Sequence, residues 1–486
     1  MSTSKIIPVI LAGGKGTRLW PVSREDLPKQ FCKMDNDLSL FQHSIRRVQN
    51  HPHFADPIIV TGERYGDVVH RQMAEMSCTP LAIINEPMGR DTAAAILLAA
   101  EVAKSQEDSL MLMMPSDHLI ADEQEFVSAI EFAVPSADKD GLIVTFGIKP
   151  THPDTGFGYL RAGPCLFNRN VCELESFIEK PDLDTAEKLI QEDNVFWNAG
   201  IFLFDRETLR NEFIRLAPDV FEPVVESVAT GSWDGKMFSP NAQVFEQTPS
   251  ISFDYAIMEP TDRKATTAVD PQWSDLGSWK AVWETSERDA NQNVVGENCY
   301  AVNTKDSYVR SDGPIVGLAG VEDIVVVASG DAVLVTSRSN PQDVKQLVDA
   351  LKADNVAAAT VHPGGQRNWG SYDNLHQGDN HQVRKLSINP SQTSTLQNLG
   401  DKAQHWIAVA GTSSVTIDGV THDLRPGDQI FVPQGAQHQI ENTSTAMVEI
   451  IAVELDGELG NDLSDARVAT AEKAENQNEI NNKHAA

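Results

Sequence analysis

Apolar positions along the first 280 or so residues fall into short continuous runs separated by amphipathic stretches. Ile6–Ala12 is such a run and ends in Gly13 and Gly14; others follow at Pro57–Thr61, Leu110–Met114 and Leu142–Phe146. Runs this short and uninterrupted suit strands buried on both faces. Between them, Thr92–Lys104 and Glu123–Val134 have helical apolar spacing. Strands alternating with helices predict right-handed crossovers, and so an α/β domain with a mixed, mostly parallel, Rossmann-like sheet as far as about Trp283. From about Asn293 to Thr336, short β-type runs alternate with turns and no long helix intervenes. Pro341–Lys352 predicts one helix, with Pro341 in its first turn and Val344, Leu347, Val348 and Leu351 on one face. From Gln366 to about Leu455 the chain is strand-rich again, with turns at Gly411, Asp418–Gly419 and Pro426–Gly427, which predicts a small β-barrel or double-sheet roll. The expected organisation is a domain over 1–285, a small β region with a helix over 286–352, a linker over 353–365, a β-roll over 366–458 and a polar tail over 459–486.

Composition narrows the function classes. A chain of 486 residues exceeds one ordinary core. Its formal net charge of −31 speaks against a general affinity for nucleic acid or anionic membrane. A protein this acidic that handles anionic substrates must gather its cations locally. The five cysteines (Cys32, Cys78, Cys165, Cys172, Cys299) are scattered and odd in number, with no CxxC, and read as reduced structural thiols. The N-terminal apolar run is too short for a signal core or a membrane span, so a cytoplasmic protein is expected.

Leu11–Phe31 (LAGGKGTRLWPVSREDLPKQF) carries the candidate chemistry. A strand ends in three glycines within four residues, a loop whose backbone N–H groups can cradle phosphate oxygens. Arg18 and Lys29 add positive charge, and Lys15 sits inside the loop. The dinucleotide fingerprint GxGxxG is not met, because Leu19 stands at the third glycine and Pro21 interrupts the helix that should follow; GxxxxGK[ST] is not met either. Asp117 follows a buried strand and Asp275 lies in a tight turn between tryptophans. Read alone, these two are an N-cap and a turn residue as readily as metal ligands.

The string GGxGTRLWPxSR…PKQF resembles the signature of sugar-phosphate nucleotidyltransferases, and most of all mannose-1-phosphate guanylyltransferases. The resemblance continues in order through Glu86–Ile96 (EPMGRDTAAAI), Met114–His118, Phe146–Arg161, Phe177–Pro181, Trp197–Phe204, Ser252–Glu259 and Trp273–Trp279. It implies transfer of GMP from GTP to mannose 1-phosphate, giving GDP-mannose and pyrophosphate. The sugar phosphate is already an anionic nucleophile, so such a site needs positioning and charge stabilisation rather than a general base. The resemblance implies nucleotide contacts at Leu11, Gly13, Gly14, Lys15, Gly16, Thr17, Arg18, Lys29, Arg90, Asp91 and Asp117. It implies sugar-phosphate contacts at Gly158, Glu179, Lys180, Asn198 and Asp254. Arg18, Lys29 and Lys180 are the implied catalytic cations, and Asp117 and Asp275 the ligands of Mg²⁺. Where the family has GRNTAPAI this chain has GRDTAAAI, which puts Asp91 in place of asparagine and adds a negative charge beside the expected base pocket. Oligomeric state stays open, a homo-oligomer included.

Gly427–Asn442 (GDQIFVPQGAQHQIEN) matches the second cupin motif, and Arg367–Leu375 resembles the entry segment of the isomerase half of bifunctional guanylyltransferase–mannose-6-phosphate isomerases. In the first cupin motif the expected histidine run is replaced by Leu399, Gly400 and Asp401, and the expected glutamate by Gln404; Gln397, His405 and His438 remain. Leucine and glycine cannot ligate, and glutamine is a weak ligand, so isomerase activity is expected to be absent. The alternatives are a rearranged metal site using Asp401, His405 and His438, with both activities kept, and a cupin acting only in binding or oligomerisation.

Overall fold

Ile7–Ala12 takes the central place in the main sheet because nothing in it is polar: Ile7, Val9, Ile10 and Ala12 are each at most 1% exposed. It pairs in parallel with Ile58–Gly62 on one side and Leu110–Pro115 on the other. Ala82–Glu86 extends the parallel set beyond Ile58–Gly62. Past Leu110–Pro115 the sheet turns mixed. Val195–Asp205 runs antiparallel to it, followed by Ile143–Ile148, Lys264–Val269, Val171–Ile178 and Tyr159–Cys165. Helices Asp91–Val102 and Glu123–Asp138 bury apolar faces against opposite sides, each side with its own core. The computed structural model describes residues 5–14, 16–34, 37–106, 110–166, 170–340, 342–398 and 400–456. Lys15, Pro341, Leu399 and the expected polar tail lie outside them.

This topology decides where chemistry can sit. Four adjacent parallel strands, ending at Ala12, Gly62, Glu86 and Pro115, present their C-terminal ends along one edge. The glycine loop, Glu86 and Asp117 all emerge there, in the crevice where open α/β sheets bind ligands.

The β region that follows is built of parallel coils. Val294–Val295, Tyr308–Ser311 and Ile324–Ser329 stack in parallel, as do Cys299–Val302 and Val316–Ala319. Asn298, Asn303, Asp306 and Asp323 take the corners with φ between 49° and 55°, left-handed backbone that Asn and Asp tolerate better than other side-chain-bearing residues. The predicted helix spans Asp343–Ala353. The linker expected over 353–365 is instead largely packed structure. Ala357–Ala359 forms a 3₁₀ turn, Trp20 Nε1 donates to the Ala358 carbonyl at 2.8 Å, and His362 is hydrogen-bonded to Asp26 through its backbone N–H and its Nδ1, both at 2.8 Å. The chain divides into two compact units at His362 and Pro363.

The second unit is a double-sheet roll of a six-stranded and a four-stranded sheet. Its core includes Trp369, Trp406, Val415, Ile440 and Ile450. One sequence expectation is overturned in the first unit: Cys165 and Cys172 form a disulfide. They are seven residues apart on Tyr159–Cys165 and Val171–Ile178, and the antiparallel register sets them opposite each other. Spacing alone could not reveal this without the hairpin. Cys32, Cys78 and Cys299 are free thiols.

Candidate active site

The glycine loop leaves its strand with Gly14 at φ 104° and Gly16 at φ 49°. A Cβ on Gly16 would stand 3.0 Å from the Lys29 backbone nitrogen and side chain, so the loop can close over Lys29 only with glycine there. Gln30 holds the loop from beneath, its Nε2 donating to the carbonyls of Ala12 at 3.3 Å and Gly13 at 3.2 Å. The Ser23 hydroxyl donates to the Gly16 carbonyl.

Lys29 is buried, and its Nζ lies 3.0 Å from Asp117 Oδ2 while donating to the Asp275 carbonyl at 2.6 Å. Burial works against ionisation of Asp117, but the Lys29 ammonium and His118 outweigh it and hold the carboxyl below its ordinary range. His118 accepts a hydrogen bond at Nδ1 from Trp273 Nε1 at 3.2 Å, which leaves its proton on Nε2, 3.8 Å from Asp117 Oδ1. Asp275 reaches the site on a strained turn. Leu276 is buried with φ 44°, and Asp275 Oδ1 accepts the Gly277 N–H at 3.0 Å. Gly16, Arg18, Lys29, Asp117, Asp275, Gly277 and Lys345 line a cavity of about 330 Å³. The Asp117 and Asp275 carboxylates, lining one cavity, are a hard-oxygen set that would suit Mg²⁺ completed by phosphate oxygens and water. Among the described residues no cluster of three or more potential ligands occurs.

A second cavity of about 440 Å³ opens from the same point, and Asp117 lines both. Its walls include Leu11, Gly13, Gly14, Arg90, Asp91, Gly200, Phe202 and Asp254, and it contains a residue to which sequence reasoning gave no role, Glu86. Glu86 is 8% exposed, its Oε1 lacks a hydrogen-bond partner, and burial, with Asp91 adding to it, pushes its carboxyl up to about 8. The available signal was a carboxylate at the C-terminal end of a buried strand, Ala82–Glu86. Asp91 is exposed instead. It sits at φ 64° with Oδ1 accepting the Thr92 N–H at 2.7 Å, so aspartate does here what asparagine would do, holding a left-handed turn at a helix start. The Arg90 guanidinium donates to the Glu246 carbonyl.

The expected sugar-phosphate residues converge on the far side of this cavity. A Cβ on Gly158 would lie 2.6 Å from Glu179 Oε2. Glu179 Oε1 pairs with Lys180 Nζ at 2.7 Å, and although burial opposes it, this partner keeps the ammonium above its ordinary range. Asn198 donates through Nδ2 to Asp254 Oδ1 at 3.0 Å and accepts from Thr145 Oγ1 at 2.9 Å. Burial, followed by the charge of Glu179, raises Asp254 to about 7. Of the residues expected from sequence, Lys15 and the Thr17 side chain lie outside what the structure describes, and the others gather along this one crevice.

In the second unit the residues of the rearranged metal site do not meet. Along Lys402–Ala410, Gln404 and Trp406 point inward while His405 is exposed and its ring lies tilted against Phe431; Asp401 is exposed as well. His438 is buried against Trp406. Gln404 donates to Glu454 at 2.8 Å and accepts from Trp406 Nε1 at 2.6 Å, and Lys402 pairs with Glu454 at 2.7 Å.

A glycine loop at parallel strand ends, a lysine between two acidic residues and a neighbouring carboxylate-rich crevice define a nucleotidyl transferase. Residues 7–292 match the nucleotidyl transferase family, and the chain belongs to it. Residues 297–351 match the mannose-phosphate isomerase/GMP-like β-helix domain, and 354–467 the C-terminal domain of mannose-6-phosphate isomerase. More particularly, the chain is 38% identical to a mannose-1-phosphate guanylyltransferase of Sinorhizobium fredii, over 94% of this chain and 90% of that protein. It is 38% identical to one from Escherichia coli, over 93% and 96%, and 35% identical to an alginate biosynthesis protein of Pseudomonas aeruginosa, over 96% and 98%. A crystal structure from Thermus thermophilus, described as a mannose-1-phosphate geranyltransferase, superposes with a TM-score of 0.64 at 30% identity, covering 72% of this chain and 99% of that one.

Proposed function

We propose that this protein transfers GMP from GTP to α-D-mannose 1-phosphate, releasing pyrophosphate. The carrying observation is that two cavities meet at Asp117, one walled by the glycine loop, Glu86 and Asp254, the other by Arg18, Lys29 and Asp275. In this reading guanine enters the first cavity. Its N1–H and N2–H₂ donors need acceptors, and the Glu86 carboxylate, buried with an unpartnered oxygen, supplies them. The triphosphate lies along the glycine loop with Arg18 and Lys29 against its charge. Asp117 and Asp275 would hold Mg²⁺, which when bound supplies charge neutralisation between the two anionic reactants. Lys180, positioned by Glu179, orients the sugar phosphate. Its oxygen attacks the α-phosphorus, and the bond to the β-phosphate bridging oxygen breaks. Glu179, Asn198 and Asp254 bind sugar hydroxyls, with Gly158 leaving room for the ring. Pyrophosphate release should require GTP and mannose 1-phosphate. Equal or faster turnover with glucose 1-phosphate, or with ATP, UTP or dTTP, would refute the assignment.

We also infer that the second unit lacks mannose-6-phosphate isomerase activity. Gln404 engaged by Glu454 and Trp406, and His405 turned away from His438, support this. Isomerisation of mannose 6-phosphate that is abolished by chelator and restored by a divalent metal would overturn it.

A further inference from the structure

Lys345 lies in the first turn of the helix Asp343–Ala353, more than 300 residues from the glycine loop. It nevertheless lines the same cavity as Arg18, Lys29, Asp117 and Asp275. Its placement is enforced by its neighbours. Val344 and Val348, at 3% and 1% exposure, are buried in one core with Leu19, Trp20 and Leu276, the residues that flank Arg18 and Asp275 in the chain. The helix can shift against the phosphate loop only by opening that core. Lys352, two turns on, fixes the other end through Glu25 at 2.8 Å.

Charge bookkeeping gives the residue a task. Of the three cations around the cavity, Lys29 is engaged by Asp117 and the Asp275 carbonyl. Among the described residues neither Arg18 nor Lys345 has an ion-pair partner, and both are exposed at the cavity. In a chain of net charge −31, a lysine held beside two carboxylates at a phosphate loop, without pairing with either, is set up for an anion that arrives from solution.

We propose that Lys345 binds the β- and γ-phosphates of the incoming triphosphate and the pyrophosphate that leaves. Its helix thereby completes the leaving-group side of a site otherwise built by residues 11–277. The proposal rests on the nucleotidyl-transfer reading above.

The test uses the full-length protein carrying Lys345→Ala, Lys345→Arg or Lys345→Glu. Initial rates give KM for GTP and for mannose 1-phosphate in the forward direction, and for pyrophosphate in the reverse direction. Titration calorimetry gives the affinity for magnesium pyrophosphate directly. For Lys345→Ala, KM for GTP and for pyrophosphate should rise roughly tenfold or more, the loss of one charge-assisted contact. KM for mannose 1-phosphate should stay within about twofold, because that ligand binds across the crevice. Lys345→Arg should recover most of the loss and Lys345→Glu should exceed it. Thermal melting should be unchanged in all three, since the side chain is exposed. Unchanged GTP and pyrophosphate constants in Lys345→Ala overturn the proposal, as does an equal loss for all three ligands. If the wild type gives no turnover with GTP and mannose 1-phosphate, the functional reading fails. Calorimetry then still decides the role of Lys345, because loss of pyrophosphate affinity on substitution supports it and unchanged affinity overturns it.

Discussion

Glu86 shows how one buried carboxylate sets both affinity and pH response. Its folded-state pKa is raised to about 8, so below pH 8 the empty site holds it mostly protonated. Guanine donors favour the carboxylate, so GTP binding at pH 7 should release a fraction of a proton, detectable as a dependence of calorimetric heat on buffer ionisation enthalpy. A raised acid pKa also means that the folded chain holds a proton the unfolded chain has lost. The associated stability is complete below the ordinary glutamate range and disappears as pH rises to about 8. Glu86→Gln should therefore melt higher than wild type at pH 8, and no higher at pH 4. It should also weaken GTP by roughly tenfold or more, since the amide NH₂ meets a guanine donor. Gly158→Ala should spare GTP and raise KM for mannose 1-phosphate, because its methyl would fall on Glu179. The glycine loop, Lys29 and Asp117 stand out in the sequence as a strand-end loop and the charges beside it, whereas Gly158, Glu179 and Asn198 were marked only by the resemblance to nucleotidyltransferases. Glu86 went unassigned because burial, not residue type, gives it its character.

Among the elements, the segment Trp20–Asp26 that follows the phosphate loop is held from across the chain. Arg24 is fully buried and makes a bidentate pair with Asp331 at 2.6 and 2.8 Å, and it also donates to the carbonyls of Val361 and Pro21. Removing one partner of such a pair strands the rest, so Arg24→Ala should cost on the order of 3 kcal/mol in denaturant unfolding. It should also raise KM for GTP while leaving that for mannose 1-phosphate nearly unchanged. The strand–helix alternation could be read from apolar periodicity, and the four strands and two helices named from it fell within a few residues of expectation. The parallel coils over 294–329 could not. Their strands are two to six residues long and their pairing is set by asparagine and aspartate corners rather than by an apolar repeat. The linker was misjudged for a related reason: Ala357–Ala359 has no periodic pattern, and its order comes from Trp20 and Asp26.

On the scale of the whole chain, the contact boundary at residues 362 and 363 predicts how the protein tolerates cutting. A chain ending at His362 should retain GTP binding and pyrophosphate release, whereas one ending near residue 292 should lose both, even though it spans the whole nucleotidyl transferase match. Comparing the two truncations by initial rate and by melting checks this. Among the described residues no helix is long and apolar enough to cross a membrane. The Arg24–Asp331 pair carries a last consequence, for descent. Its two halves are encoded about 900 nucleotides apart, so an exchange between related genes that falls between them and brings in an unmatched partner should be selected against. A crossover just after His362 falls outside the Arg24–Asp331 span and would leave that pair intact.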